Sequence, residues 1–297
     1  MSAVATASTR VSRPALGAVL IASVFHYAGP SFAVLLFVHI DPLGVAWLRL
    51  ASAAVVLAVW RRPWRVLADA NPAERRTMLA WGAVLGGMNA AFYLALDLAP
   101  LATVASIEFA GVLALAAYGA RTQRNLVALA LAAAGVATLT RVSLEGSAAG
   151  LFWAVVNCVG FVLYVTLGHR VAATAAAGPG GRPDGIDRLA VAVVVGAVVS
   201  LPFGIGPALP AFVHPMWLWW AVGVGVSSTV IPYVADQVAM ARLPRATYAL
   251  LLALLPVTAT LCGVVVLGQV PTPTELAGIA LVGVAVALHR PAEEGTR

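Results

Sequence analysis

The sequence predicts an all-α membrane protein of ten transmembrane helices. Three observations predict it. Of 297 residues, 61% are hydrophobic and only 10% are charged, whereas an average soluble domain carries roughly 25% charged residues. The apolar residues fall into successive runs of the length that crosses a bilayer core, about 20 residues each. The basic residues gather in alternate connecting segments, as the positive-inside rule requires.

The runs cover residues 15–38, 42–60, 77–97, 100–119, 125–140, 148–169, 189–205, 216–240, 246–267 and 274–289. Inside hydrocarbon a chain must satisfy its own backbone hydrogen bonds, so each run is expected to be a helix. The runs do not alternate in polarity, which excludes the strands of a lipid-facing barrel. Arg10 and Arg13 precede an apolar run from Ala15 to Val38. That run is longer than the 7–15 residues of a signal-peptide core, so it reads as a first span that stays. Asn125 is placed to cap the fifth helix, and Pro202 sits near the end of the seventh, where a break is tolerable.

The net charge is +6, and all 18 basic residues are arginine. They sit singly or in short groups between apolar runs, not along one exposed face, which speaks for topology rather than nucleic-acid binding. With the N-terminus inside, the inner segments hold 16 of the 18; Arg49 and Arg141 fall elsewhere. Both termini are then cytoplasmic, as an even number of spans requires. Cys158 and Cys262 each lie in an apolar run with no CxxC spacing, so both read as packing residues. No metal or other cofactor is expected. Residues 171–188 form the longest connection, and Gly178-Pro179-Gly180-Gly181-Arg182-Pro183-Asp184-Gly185 within it reads as a flexible linker.

A weak internal repeat is visible. At a constant offset, Ala95, Pro100, Ala102, Thr103 and Ala105 match Ala239, Pro244, Ala246, Thr247 and Ala249. A repeat unit of five helices crosses the membrane an odd number of times, so its two copies are inserted in opposite senses, a recurrent plan in secondary transporters. The chain divides accordingly into a cytoplasmic tail (1–14), a first five-helix repeat (15–140), a second (148–289) and a C-terminal tail (290–297).

Polar groups within the spans are costly and therefore candidate functional residues. Glu108 lies eight residues past Pro100, about 12 Å into its helix at 1.5 Å per residue. It reads as a partner for a substrate amine or as a proton carrier, with a hydrogen-bonded structural glutamate as the plain alternative. Asp236 is either a second cavity carboxylate or the partner of Arg242 or Arg245. Asn89 and Tyr93 share a helix face one turn apart. Tyr233 follows Pro232, which frees a backbone carbonyl able to line a cavity. His26 precedes Gly29-Pro30, a kink beside a titratable ring. Asn157 is a further polar candidate. Arg49 and Asp97 both lie toward the outer side, and pairing of Arg49 with Asp97 or Asp41 is the default expectation over contact with an anionic substrate. Gly82 and Gly86 form a GxxxG that allows close helix approach.

These residues resemble a known family. Gly86-Gly87-Met88-Asn89, Phe92-Tyr93, Pro100-Leu101 and Glu108-Phe109 with Gly111 are similar to the first half of threonine/homoserine exporters, in the EamA group of the drug/metabolite transporter superfamily. Ile231-Pro232-Tyr233, Arg242-Leu243-Pro244 and the helix of Pro256 and Gly263 resemble the second half. Arg62-Pro63-Trp64-Arg65 and Asp41-Pro42 leading to Leu48-Arg49 fit as well. The resemblance implies two inverted five-helix repeats, a central cavity between helices one to four and six to nine, and proton-driven export of small neutral amino acids. Asp236 and Leu255 stand where the family tends to carry glutamates.

The expected protein is thus a secondary transporter of a small-molecule substrate in the cytoplasmic membrane, with the lipid bilayer and protons as its partners, Glu108, Asn89, Tyr93, Asp236, Tyr233 and His26 as site residues, and a homo-oligomer left open. Export of amphiphilic drugs is the alternative. A chain without lysine holds no Walker A sequence. A membrane-embedded enzyme is the competitor from another class; it would need a base or metal cluster, and His26, His39, His169, His214 and His289 are scattered.

Overall fold

The computed structural model describes residues 13–119, 122–142, 147–176, 185–243, 248, 251–252, 254–268 and 270–288. The tails, the glycine-rich linker from 177 to 184, and the repeat positions Pro244, Ala246, Thr247 and Ala249 lie outside them. All regular structure among the described residues is helical. Six segments are long and apolar enough to cross a membrane: Ala15–Val34, Pro42–Arg61, Pro72–Leu98, Ala148–Ala172, Gly185–Val213 and Pro215–Met240.

Helix α1 (Arg13–Val34) runs through Pro30. Helix α2 (Pro42–Arg61) starts on Asp41, whose carboxylate accepts from the Leu43 N–H at 2.9 Å, with Pro42 in the first turn where its missing donor costs nothing. It ends at Arg62, which adopts φ 51° and donates its N–H to the Ala58 carbonyl. A short α3 (Pro63–Asp69) follows. Helix α4 (Pro72–Leu98) opens with a capping box between Asn71 and Glu74. Then come α5 (Leu101–Gly119), α6 (Gln123–Val142), α7 (Ala148–Ala176) and α8 (Gly185–Val213). Helix α9 (Pro215–Gly225) passes through a π-helical turn, Val226–Val230, into α10 (Ile231–Met240). Helices α11 (Leu254–Leu267) and α12 (Pro273–Leu288) complete the chain.

Two expectations from local signals give way. The seventh span does not stop near Pro202: α8 contains Pro202, Pro207 and Pro210 and is 29 residues long. Proline inside a membrane helix is tolerated when neighbouring helices support the bared backbone. Here α2 lies close enough that a Cβ on Gly44 would stand 2.7 Å from the Pro207 carbonyl oxygen. Asn125 is not the cap of α6; the hydroxyl of Thr122 accepts from the Asn125 N–H at 3.3 Å.

Packing follows a pattern that survives exchanging the first half of the chain for the second. Helix α1 packs on α10 and α11, and α7 packs on α4 and α5; α2 pairs with α8, and α6 with α12. Two tryptophans stitch these seams by donating indole N–H groups to backbone carbonyls: Trp47 to Ala197 (3.2 Å) and Trp81 to Tyr164 (3.1 Å). The GxxxG glycines serve close approach. A Cβ on Gly82 would meet the Ala192 carbonyl oxygen at 2.6 Å, and one on Gly86 the Gly196 oxygen at 2.8 Å.

The outside is apolar. Phe203 (67%), Trp219 (72%) and Val265 (80%) lie largely exposed, a surface that suits lipid and not water. At one end of the bundle the charges pair. Arg61 meets Asp187 at 2.6 Å, Arg188 meets Glu74 at 3.1 Å, and Arg124 donates to the Leu288 carbonyl at 2.6 Å. The end of α2 and the starts of α4, α6 and α8 thereby share one face with the end of α12.

The α4–α8 seam makes a checkable claim. Gly86→Val is expected to destabilise the protein by about 1–3 kcal/mol through overpacking. Gly87→Ala, whose added Cβ meets nothing within 4 Å, is expected to be neutral. Thermal unfolding of both purified variants in detergent decides; equal melting would show that the seam has slack.

Candidate functional site

A cavity lies within the bundle, lined by His26, Tyr27, Arg49, Met88, Asn89, Phe92, Glu108, Asn157, Phe161 and Tyr233. These residues come from α1, α2, α4, α5, α7 and α10, so both halves of the chain contribute. The cavity is narrow, ≈ 20 Å³, room for about one water molecule.

Glu108 is buried on the α5 wall, and donors from two other helices converge on it. Tyr27 donates its hydroxyl to Oε1 at 3.3 Å, and Asn157 donates its amide N–H to Oε2. The mid-helix position read from the sequence is therefore a cavity position, and Asn157 is its neighbour. Asn89 is held by α2: its Nδ2 donates to the Ala46 carbonyl at 2.8 Å, while its buried Oδ1 has no protein partner.

Asp236 is wholly buried and meets α1. His26 Nε2 lies 2.8 Å from its Oδ2. Asp236 is not among the cavity-lining residues; Arg242 donates to the Val238 carbonyl of its own helix, and Arg245 lies outside the described residues. Asp236 sits one layer behind the cavity wall, joined to it through His26. Tyr233 lines the wall, its ring centroid 5.4 Å from that of His26.

Arg49 corrects the default expectation. It pairs with neither Asp41, which caps α2, nor Asp97, which is exposed. Instead it turns inward, 4% exposed. Its Nε donates to the Thr229 hydroxyl at 2.8 Å and its Nη2 to the Ser228 carbonyl at 2.7 Å, with the Tyr233 hydroxyl at 3.5 Å. The local reason is legible. Pro232 has no N–H to give the carbonyl of Ser228, four residues earlier, and the π-turn spreads the backbone there. The guanidinium takes the bared oxygen. Tyr93 sits behind the guanidinium, whose carbon lies 5.6 Å from its ring centroid and 6.0 Å from that of Tyr233.

The structure thus places four of the six predicted residues, Glu108, Asn89, Tyr233 and His26, on the cavity wall, joins Asp236 to it through His26, and sets Tyr93 beside Arg49. Residues not named as site candidates complete the site: Met88 and Phe92, which stood in the family motif, with Tyr27 and Phe161 in the wall, and Ser228 and Thr229 on the π-turn. Three consecutive hydroxyls, Ser227-Ser228-Thr229, inside an apolar span were the available signal for the turn; Tyr27 and Phe161 have none, because aromatic side chains in such a span read as packing. Among the described residues no cluster of three or more histidines, cysteines or acids is placed to hold a metal. Cys158 and Cys262 are both free thiols.

Comparison with known proteins gives these features a context. The EamA-like transporter family matches over residues 148–289. The threonine/homoserine exporter RhtA of Escherichia coli (strain K12) is 30% identical over 274 residues, covering 89% of this chain and 86% of that protein. RhtA of Salmonella typhimurium (strain LT2) matches equally, 30% over 274 residues and the same shares of both chains. A crystal structure at 17% identity superposes with a TM-score of 0.66 over 92% of this chain and 96% of the other, which shows a shared fold. A multi-pass helical bundle with a polar cavity, matched along nearly its whole length by transporters, belongs to the EamA-like transporter family.

Proposed function

We propose that the chain exports small neutral amino acids of the threonine and homoserine kind, or related metabolites, across the cytoplasmic membrane by alternating access coupled to protons. The observation that carries the reading is Glu108, a buried acid on a cavity wall, approached by donors from α1 and α7. A carboxylate so placed accepts either a proton or a substrate ammonium, and the two exclude each other. Release of the amine to the outside followed by proton capture there, then proton release inside, gives exchange of substrate for proton. The likeness to exporters named for threonine and homoserine supports the substrate class.

The reading takes the bundle as ten crossings in two inverted five-helix halves. The exchange-symmetric packing of α1 with α10 and α11 against α7 with α4 and α5 supports it. So does the family match, whose bounds at 148 and 289 are those of the second half. The face carrying the Arg61–Asp187 and Arg188–Glu74 pairs is cytoplasmic in this reading, by the positive-inside rule, and both termini lie there. His26 and Asp236 join α1 to α10 across the halves, where a proton would be felt by both.

Proteoliposomes loaded with labelled threonine or homoserine and given a pH gradient test the function. Glu108→Gln is expected to cut gradient-driven efflux at least about tenfold, the worth of one lost charged hydrogen bond. Undiminished flux at equal protein level removes Glu108 from the mechanism. The His26–Asp236 pair gives a second test. His26→Ala leaves the buried Asp236 carboxyl without its hydrogen-bond partner and is expected to cost about 1–3 kcal/mol of stability. The double variant His26→Ala/Asp236→Asn, which removes the stranded carboxyl, is expected to melt higher than the single one. A double variant no more stable than His26→Ala would deny the coupling.

A further inference from the structure

Arg49 is a buried charge that shares its cavity with Glu108 but has no acid in direct contact among the described residues. Among the described residues it forms no ion pair, and its three hydrogen bonds go to a hydroxyl, a backbone carbonyl and a phenol. Those bonds hold Nε and Nη2 of a side chain that lines the cavity. Taking a lone ion out of water is expensive, and two tyrosine rings offset only part of that. A structural strut for the π-turn would need only a neutral donor. A fork-shaped cation aimed at a cavity is the group that takes a carboxylate.

We propose that Arg49 is the carboxylate subsite of the transported solute, so that the cavity takes a zwitterion: carboxylate on Arg49, ammonium at Glu108. The proposal rests on the export reading above and deepens it. It assigns the two ends of an amino acid to two helices, α2 and α5. A solute with the amine and hydroxyl but no carboxylate leaves the guanidinium unpaired and binds poorly. The buried Oδ1 of Asn89, on the same wall, is an acceptor suited to a substrate hydroxyl or ammonium.

The test uses the wild-type protein first. Proteoliposomes moving labelled L-threonine are challenged with excess unlabelled L-threonine, L-threoninamide or 1-amino-2-propanol. The two analogues without a carboxylate are expected to compete about 10- to 100-fold less well. Equal competition overturns the proposal while leaving amino-acid export standing; a wild-type protein that moves no amino acid overturns both. Arg49→Gln, compared with Arg49→Lys at matched melting temperature, is the second arm. Loss of preference for threonine over threoninamide in the glutamine variant, with partial retention in the lysine variant, supports the subsite. Preference unchanged in Arg49→Gln assigns Arg49 to the π-turn alone.

Discussion

In hydrocarbon no water completes an unfinished hydrogen bond or screens a charge, so every polar group must be matched inside the protein or turned to an end. That constraint sorts the whole chain. The arginines at the helix ends find Asp187, Glu74 and a terminal carbonyl. The caps of α2 and α4 are side chains, Asp41 and Asn71, that take the orphan N–H groups. The few polar residues left in mid-helix are driven together, because one another's company is the alternative to lipid. A polar cavity is what results when Glu108, Asn157, Tyr27, Asn89, His26 and Arg49 share a centre.

Glycine sets how tightly the walls close around that centre. At Gly86 and Gly196 the backbones of α4 and α8 meet with no side chain between them, at Gly82 the Ala192 carbonyl and the Val195 side chain fill the space, and at Gly44 α2 lies against the Pro207 backbone. Both seams join an early helix to a later one. The smallness of the cavity has the same origin: aromatic walls from Phe92, Phe161 and Tyr233 close the space that the polar groups keep wet.

Much of this was legible in the residues. The spans beginning at Pro42, Ala148 and Pro273 start within a residue of their sequence expectation, because an apolar run bounded by proline or charge has one reading in lipid. Glu108 announced itself by cost alone. Arg49 did not, because a sequence shows how near acids lie along the chain and not which way a helix faces; Asp41 and Asp97 looked like partners and face elsewhere. The pairing of His26 with Asp236, 210 residues apart, depends on packing that no local spacing encodes. Pro202 misled for a related reason: the rule that proline ends helices was learned in water, and α8 is supported by its neighbours.

The π-turn between α9 and α10 carries slack. Ile231 donates to Val226, five residues back, where an ordinary helix would reach only four. Each residue of helix turns the chain by about 100°. If that loop of backbone tightened to normal winding, everything after it would swivel by one such step about its axis. Tyr233 would leave the wall and Asp236 would swing from His26, while the oxygen gripped by Arg49, facing Pro232, would still find no N–H in the helix. One surplus residue thus stores a quarter-turn of rotation in the wall of the pocket, with an arginine as its latch.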